Sequence, residues 1–170
     1  MAGEERARLR VEALGPGHDR RSFSCGVEAL DRYLRVQAGQ DARKNVAAPF
    51  VLLSSHSEIV GYYTLSATSI LLAELPSDVS RRLPRYPLVP ATLVGRLAVD
   101  QRHRGMGYGR YLLADALGRA ARSEIASFAV IVEAKDREAQ SFYRRESFLP
   151  LPDQPMKLFL PMAAIGRLFE

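Results

Sequence analysis

The feature that most constrains this chain is a junction. The apolar run Thr92–Val99 (TLVGRLAV) passes through Asp100 into Arg102-His103-Arg104-Gly105-Met106-Gly107-Tyr108-Gly109-Arg110, and a patterned stretch follows. A run this rich in Leu and Val reads as a strand. From Tyr111 to Arg122, Leu112, Leu113, Ala116, Leu117 and Ala120 fall on one face at helical spacing. A strand feeding a helix through a glycine-rich turn restricts the fold to the α/β classes. Glycines at 105, 107 and 109 remove side chains, so an anion can approach the main chain closely. The first helical turn then turns its amides and the positive end of its dipole toward that anion. Arg104 and Arg110 can add side-chain charge, and a pyrophosphate is the natural guest.

Three pyrophosphate loops compete for this pattern. A P-loop requires Gly-Lys-Ser/Thr at its end, whereas Gly109 is followed by Arg110-Tyr111. A dinucleotide fingerprint requires G-x-G-x-x-G, and the third glycine here is misplaced. What remains is Arg102-x-x-Gly105-x-Gly107, against the bland alternative of a glycine-rich turn with no ligand.

The rest of the chain reads as a mixed α/β protein. Leu9, Val11 and Ala13 alternate with polar residues in a first strand from Arg8 to Ala13. Val27, Leu30, Tyr33 and Leu34 recur at helical spacing, giving a helix over 25–37 that closes near Gly39. FVLLSS after Pro49 and the run Ile59 to Leu65 form a hairpin about His56-Ser57-Glu58. The Pro76–Pro90 segment is an irregular or briefly helical excursion broken at Pro84, Pro87 and Pro90. FAVIV at Phe128–Val132 is a strand buried on both faces. A short helix at Ala139–Arg145 and a closing strand at Leu158–Leu160 complete the order. The expected fold is one domain over residues 1–170, a mostly antiparallel central sheet with helices on both faces in three layers.

The formal charge of +5 permits an anionic partner, and its distribution says more than its sum. Seven arginines and a single acid, Asp100, lie between Arg81 and Arg110. The N-terminal MAGEERARLR lacks the apolar core of a secretory signal. The longest uncharged stretch, Ile59 to Ala73, has 15 residues, short of the roughly 20 that span a bilayer. A cytoplasmic protein is expected. Cys25, the one cysteine, reads as packing. His18, His56 and His103 show no metal-ligand spacing, so no metal site is expected; His103 reads as solvent-facing.

Arg102-x-x-Gly105-x-Gly107 resembles the R/Q-x-x-G-x-G/A motif of the GNAT superfamily of N-acetyltransferases. A second feature agrees: Ala139-Gln140-Ser141-Phe142-Tyr143 is similar to that superfamily's A-x-x-F-Y, although Ser147 stands where a glycine is usual before Phe148. The resemblance implies acetyl-CoA as co-substrate, gripped by Arg102, Arg104, Gly105, Met106, Gly107, Gly109 and Arg110. It implies that Leu97, Ala98 and Val99 offer backbone groups to the pantetheine amides. It implies, too, that Tyr143 meets the CoA sulfur and protonates the departing thiolate.

Phe23–Leu34, the run Ala47–Val51, Gly61–Ala67, Arg81–Pro87 and Leu158–Met162 narrow the likeness further. In this order they resemble the acetyltransferase toxins of bacterial type II toxin–antitoxin systems, which acetylate the amino group of aminoacyl-tRNA. That implies aminoacyl-tRNA as substrate, a cognate ribbon-helix-helix antitoxin and a homodimer as partners, and no membrane. Arg81, Arg82, Arg85 and Arg96 are the candidates for tRNA phosphates. The first three fit equally a solvated face or the seat of an acidic antitoxin tail. Glu133 and Asp100 are candidate bases, each as readily structural. The rivals are a housekeeping acetyltransferase of a small amine or protein N-terminus, and a non-catalytic acetyl-CoA-binding module.

Overall fold

The computed structural model of the protein describes residues 8–169. Most of the charged N-terminal stretch read for a secretory signal lies outside them. Seven strands are formed: β1 (Arg10–Ala13), β2 (Ala48–Leu53), β3 (Ile59–Leu71), β4 (Leu88–Val99), β5 (Ala129–Glu133), β6 (Leu149–Leu151) and β7 (Gln154–Pro161). Their order in one sheet is β1-β2-β3-β4-β5-β7-β6. The pairs β1–β2, β2–β3, β5–β7 and β6–β7 are antiparallel, and β4–β5 is parallel. The mixed, mostly antiparallel sheet expected from the sequence is therefore present. The chain divides into two compact units, Met1–Ser66 with Arg96–Ala116, and Ala67–Gly95 with Leu117–Glu170.

In the first unit one helical stretch runs from α1 (Glu28–Arg32) through a π-helical turn (Tyr33–Gln37) into α2 (Ala38–Arg43). It was expected to close near Gly39. Gly39 instead keeps helical backbone, and the reversal comes at Asn45, whose φ is 57°; asparagine is one of the few residues besides glycine that tolerates this region. The core gathers Phe23, Tyr33, Leu34, Val51, Leu53, Ile59, Tyr62 and Ala98. Tyr62 sits edge-on to Phe23 and stacked on Tyr33, with ring centroids 5.5 and 6.3 Å away. Its buried hydroxyl is satisfied by donating to the Leu30 carbonyl at 2.6 Å. Cys25 is buried, and its backbone N–H donates to the Asp31 carboxylate at 2.8 Å. The β2–β3 hairpin closes with Ser54 N–H on the Glu58 carbonyl and Ser57 at a φ of 60°.

In the second unit β5 is buried along Ala129–Val132, as its unbroken apolar run requires. Ile131 and Phe159 pack with Ile70, Leu75, Val89, Ala91 and Leu151. Two expectations fail here. Pro90 does not break the chain: β4 runs through it from Leu88, and its carbonyl accepts from Phe128 N–H at 2.8 Å while pairing with β5 starts at Ala91. A proline lacks only the donor, and at a strand's start no ladder bond is lost. The second failure is of omission. The three residues of β6 are too few to show a period, and the terminal helix Met162–Leu168 buries only Ile165. The Pro76–Pro90 excursion contains one helical turn, α3 (Ser77–Ser80). The helices α4 (Tyr108–Arg122) and α5 (Arg137–Arg145) complete the elements that carry the site. Among the described residues no helix is long and apolar enough to cross a membrane.

Candidate functional site

The glycine loop is held from behind by Asp100. This side chain, at the end of β4, is fully buried. Its Oδ1 accepts from Arg102 N–H at 2.9 Å and from Arg102 Nε at 3.0 Å; its Oδ2 accepts from Ser24 N–H and from Arg102 Nη2, both at 3.1 Å. Burial pushes the carboxyl up, but the hydrogen bonds from the Arg102 guanidinium and from the N–H groups of Arg102 and Ser24 outweigh it, so the net shift is down. Asp100 is therefore a charged, fully committed anchor and not a base for the substrate. Gln101 N–H donates to the Ser24 carbonyl at 2.8 Å, and Arg104 Nη2 to the Cys25 carbonyl at 2.6 Å. The loop is thus stapled to the segment Ser24-Cys25.

Two of the loop's expected cations, though exposed, are engaged within the protein. Arg102 is neutralised by Asp100, and Arg104 spends one donor on a main-chain carbonyl. What the loop offers instead is backbone. Gly105 and Gly107 have φ of 76° and 81°, where any residue with a Cβ is strained. A Cβ built on Gly105 would meet no atom within 4 Å, so the space beside it is clear. Gly107 hands its carbonyl to Tyr111 N–H at 3.0 Å, which opens α4 three residues earlier than expected and places Gly109 inside the helix. Tyr108 is buried and stacks on His103 with centroids 5.9 Å apart; His103 is half-buried there and not solvent-facing. Among strand residues, Ala98 is buried and Leu97 and Val99 are partly exposed. A strand end, two left-handed glycines and the positive pole of a 15-residue helix suit a diphosphate.

Tyr143 lies in the second unit, on α5. Asp136 caps the helix by accepting from Ala139 N–H at 2.8 Å. The other end is a Schellman cap: Phe148 N–H donates to the Tyr143 carbonyl and Ser147 N–H to that of Arg144, both at 3.1 Å. The Phe148 ring lies 5.5 Å from that of Tyr143, and Phe142 lies 5.2 Å away on another side. The cap that ends the helix thus also fixes the tyrosine ring. Ser147 occupies the left-handed position, at a φ of 73°, where the related motif has glycine. Ser147→Gly is expected to raise stability by about 1 kcal/mol, read from thermal or urea unfolding, because it removes the Cβ clash.

The Tyr143 ring is buried, and burial pushes its phenol up to about 12. Among the described residues no protein group receives the hydroxyl, yet no buried side-chain oxygen or nitrogen there lacks a partner. The hydroxyl therefore opens onto accessible space. Burial together with a hydrogen bond to Asp41 likewise raises Tyr33 to about 12, and burial raises Tyr62. An unfolded chain ionises its phenols near 10. Below that pH all three are neutral in both states and contribute their full stability. From about pH 10 to 12 the unfolded state loses its protons first, so the melting temperature is expected to hold steady to about pH 9.5 and then drop.

The remaining candidates separate. Arg81, Arg82 and Arg85 are exposed together around α3; Arg81 Nε donates to the Ser77 carbonyl at 3.1 Å and Arg85 to those of Ser80 and Leu83. Arg96 belongs to the first unit. Its guanidinium lies 3.6 Å above the Tyr33 ring in the first unit, while the Tyr33 hydroxyl donates to Asp41 at 2.8 Å. Glu133 is exposed, opposite Lys157 in the β5–β7 register. The role of Asp100 as anchor was missed from sequence, although an aspartate directly before a turn is a recognisable cap; its partner Ser24 lies 76 residues away and left no local signal.

The acetyltransferase (GNAT) family model matches residues 19–148, well over half of the chain. The chain belongs to the GNAT acetyltransferase family. This GNAT chain is 38% identical over 143 residues to a tRNA-acetylating toxin of Mycobacterium tuberculosis, covering 83% of the chain and 84% of that protein. Among solved structures it matches AtaT complexed with acetyl-methionyl-tRNAfMet with a TM-score of 0.87 and 30% identity, over 95% of the chain and 99% of AtaT. It also matches an AtaT mutant toxin bound to the C-terminus of the antitoxin AtaR and acetyl-CoA, with a TM-score of 0.80 and 26% identity over 95% and 98% of the two chains.

Proposed function

We propose that this GNAT protein is an acetyl-CoA-dependent N-acetyltransferase of one domain, residues 1–170, acting in the cytoplasm as a toxin. It acetylates the amino group of aminoacyl-tRNA and so blocks translation, and a cognate ribbon-helix-helix antitoxin restrains it. The observation that carries the enzymatic reading is the left-handed backbone at Gly105 and Gly107, with clear space beside Gly105, leading into the N-terminus of α4. The relatives carry the substrate: one is a tRNA-acetylating toxin, and AtaT is solved with acetyl-methionyl-tRNAfMet. The antitoxin reading follows the AtaT–AtaR structure.

Each part has a chemical role. The amides from Gly105 to Arg110 take the diphosphate of acetyl-CoA, and the edges of Leu97, Ala98 and Val99 take the pantetheine amides. The substrate amine attacks the acyl carbon, the carbon–sulfur bond breaks, and the sulfur leaves as its negative charge grows. The Tyr143 phenol, held near 12, donates a hydrogen bond to that sulfur. Full proton transfer to a thiolate whose thiol titrates near 8.5 would be uphill by about 5 kcal/mol. The hydroxyl therefore stabilises charge and keeps its proton, and the proton shed by the amine reaches the sulfur or solvent.

The substrate class fits the absence of a base at Asp100. An α-amine near 7.7 to 8.0 is roughly a tenth neutral at pH 7, whereas a lysine near 10.4 is under about 0.1% neutral. An aminoacyl ester thus arrives ready to react. Labelled acetyl-CoA should be offered together with charged total tRNA, unattached amino acids and bulk protein. Label is expected on the aminoacyl-tRNA; label confined to small amines or protein defeats the toxin reading.

A further inference from the structure

A second group of cations lies in the first unit and serves none of the roles above. Gly39 sits within α2, where glycine is otherwise an unfavourable choice. A Cβ there would lie 3.0 Å from Arg20 Nη1 and 3.3 Å from Arg43 Nη1, so the two guanidiniums come within about 6 Å of each other over the bare helix. Neither forms an ion pair among the described residues. Arg20 Nη2 reaches only the Gly15 carbonyl, at 3.3 Å. The nearby acids are already engaged. Asp19 accepts from Arg21 N–H and Ser22, and Asp41 from Tyr33 and Gln37. Beside Arg20 opens a shallow cavity of about 420 Å³ lined by His18, Asp19, Arg20, Arg21, Arg35 and Val36.

We propose that Arg20 and Arg43, converging over Gly39 beside Arg21 and Arg35, form a binding site for the phosphodiester backbone of RNA. The inference rests on the reading that tRNA is the substrate and adds a contact outside the arginines assigned above. Two guanidinium forks facing one point repel each other, and a tetrahedral anion between them turns repulsion into two charge-assisted hydrogen bonds. Val36 is the one apolar residue in the cavity lining, and its one ring, that of His18, is engaged with Glu12 at 2.6 Å, so the lining offers charge and not a stacking or apolar seat. The contact would therefore read phosphate and not sequence. Gly39 is explained at the same time, because any side chain would fill the space where the two cations meet.

Filter binding of uncharged bulk tRNA at several salt concentrations tests this, using Arg20→Ala/Arg43→Ala, Arg20→Lys/Arg43→Lys, and Gly39→Leu, which keeps every charge but fills the cradle. The alanine pair should bind about 10-fold or more weakly, and the slope of log affinity against log salt should flatten by about 2. The lysine pair should recover the slope, Gly39→Leu should lose affinity, and acetyl-CoA binding should be unchanged in all three. An unaltered slope and affinity in the alanine pair, in protein that still acetylates charged tRNA, overturns the site and leaves the substrate reading intact. Loss of antitoxin affinity with tRNA binding unchanged assigns the cluster to an acidic peptide and also overturns it. A wild-type protein that neither binds nor acetylates tRNA overturns both.

Discussion

Gly107→Glu is expected to weaken acetyl-CoA binding by about 1000- to 5000-fold, as read by calorimetric titration. Two effects add. At a φ of 81° any L-residue is strained by roughly 1–2 kcal/mol. A carboxylate about 5 Å from a diphosphate charge, at the effective dielectric of a protein surface, opposes binding by about 3 kcal/mol. Gly107→Ala separates them: it carries the strain without the charge and should lose about 5- to 30-fold. A thermal melt of each variant shows whether the loop has distorted; with Asp100 and Arg104 holding the segment to Ser24 and Cys25, it should stay folded. Unchanged affinity in the glutamate variant would remove the loop from the cofactor site.

Tyr143→Phe should lower kcat by roughly 10²–10³, the usual effect of losing one donor to a developing anion. Acetyl-CoA affinity and melting temperature should hardly change, because the ring packs on Phe142 and Phe148 while no protein group among the described residues receives its hydroxyl. Since burial holds the phenol at about 12, it keeps its proton throughout the working range. The pH profile of the wild type should then rise with deprotonation of the substrate amine and show no alkaline fall from Tyr143 below about pH 10. Full activity in the phenylalanine variant would take Tyr143 out of the chemistry.

The loop and its flanking elements were legible because their signals are local. Apolar periodicity located β4 and α4, and the glycine spacing marked the turn between them. Pro90 was read as a break, which hid the start of β4 at Leu88, since one residue type can end a strand or merely begin it. Gly39 misled in the opposite sense: glycine usually closes a helix, and here it lies within α2. The engagement of Arg104 could not be read at all, because it depends on Cys25, distant in sequence and brought close only by folding. Arg96 was grouped with Arg81, Arg82 and Arg85 by proximity in sequence and by sign. Its place over Tyr33 is a matter of strand register, which charge counting does not see.

The most direct test of the central claim is an amide spectrum. In ¹⁵N-labelled protein, titration with acetyl-CoA should shift the N–H resonances of Gly105, Gly107 and Gly109. Acetyl-pantetheine, which carries the same thioester without the diphosphate, should leave them in place. If acetyl-CoA binds while those three resonances stay still, the diphosphate is held elsewhere, and the glycine entrance to α4 is only a turn.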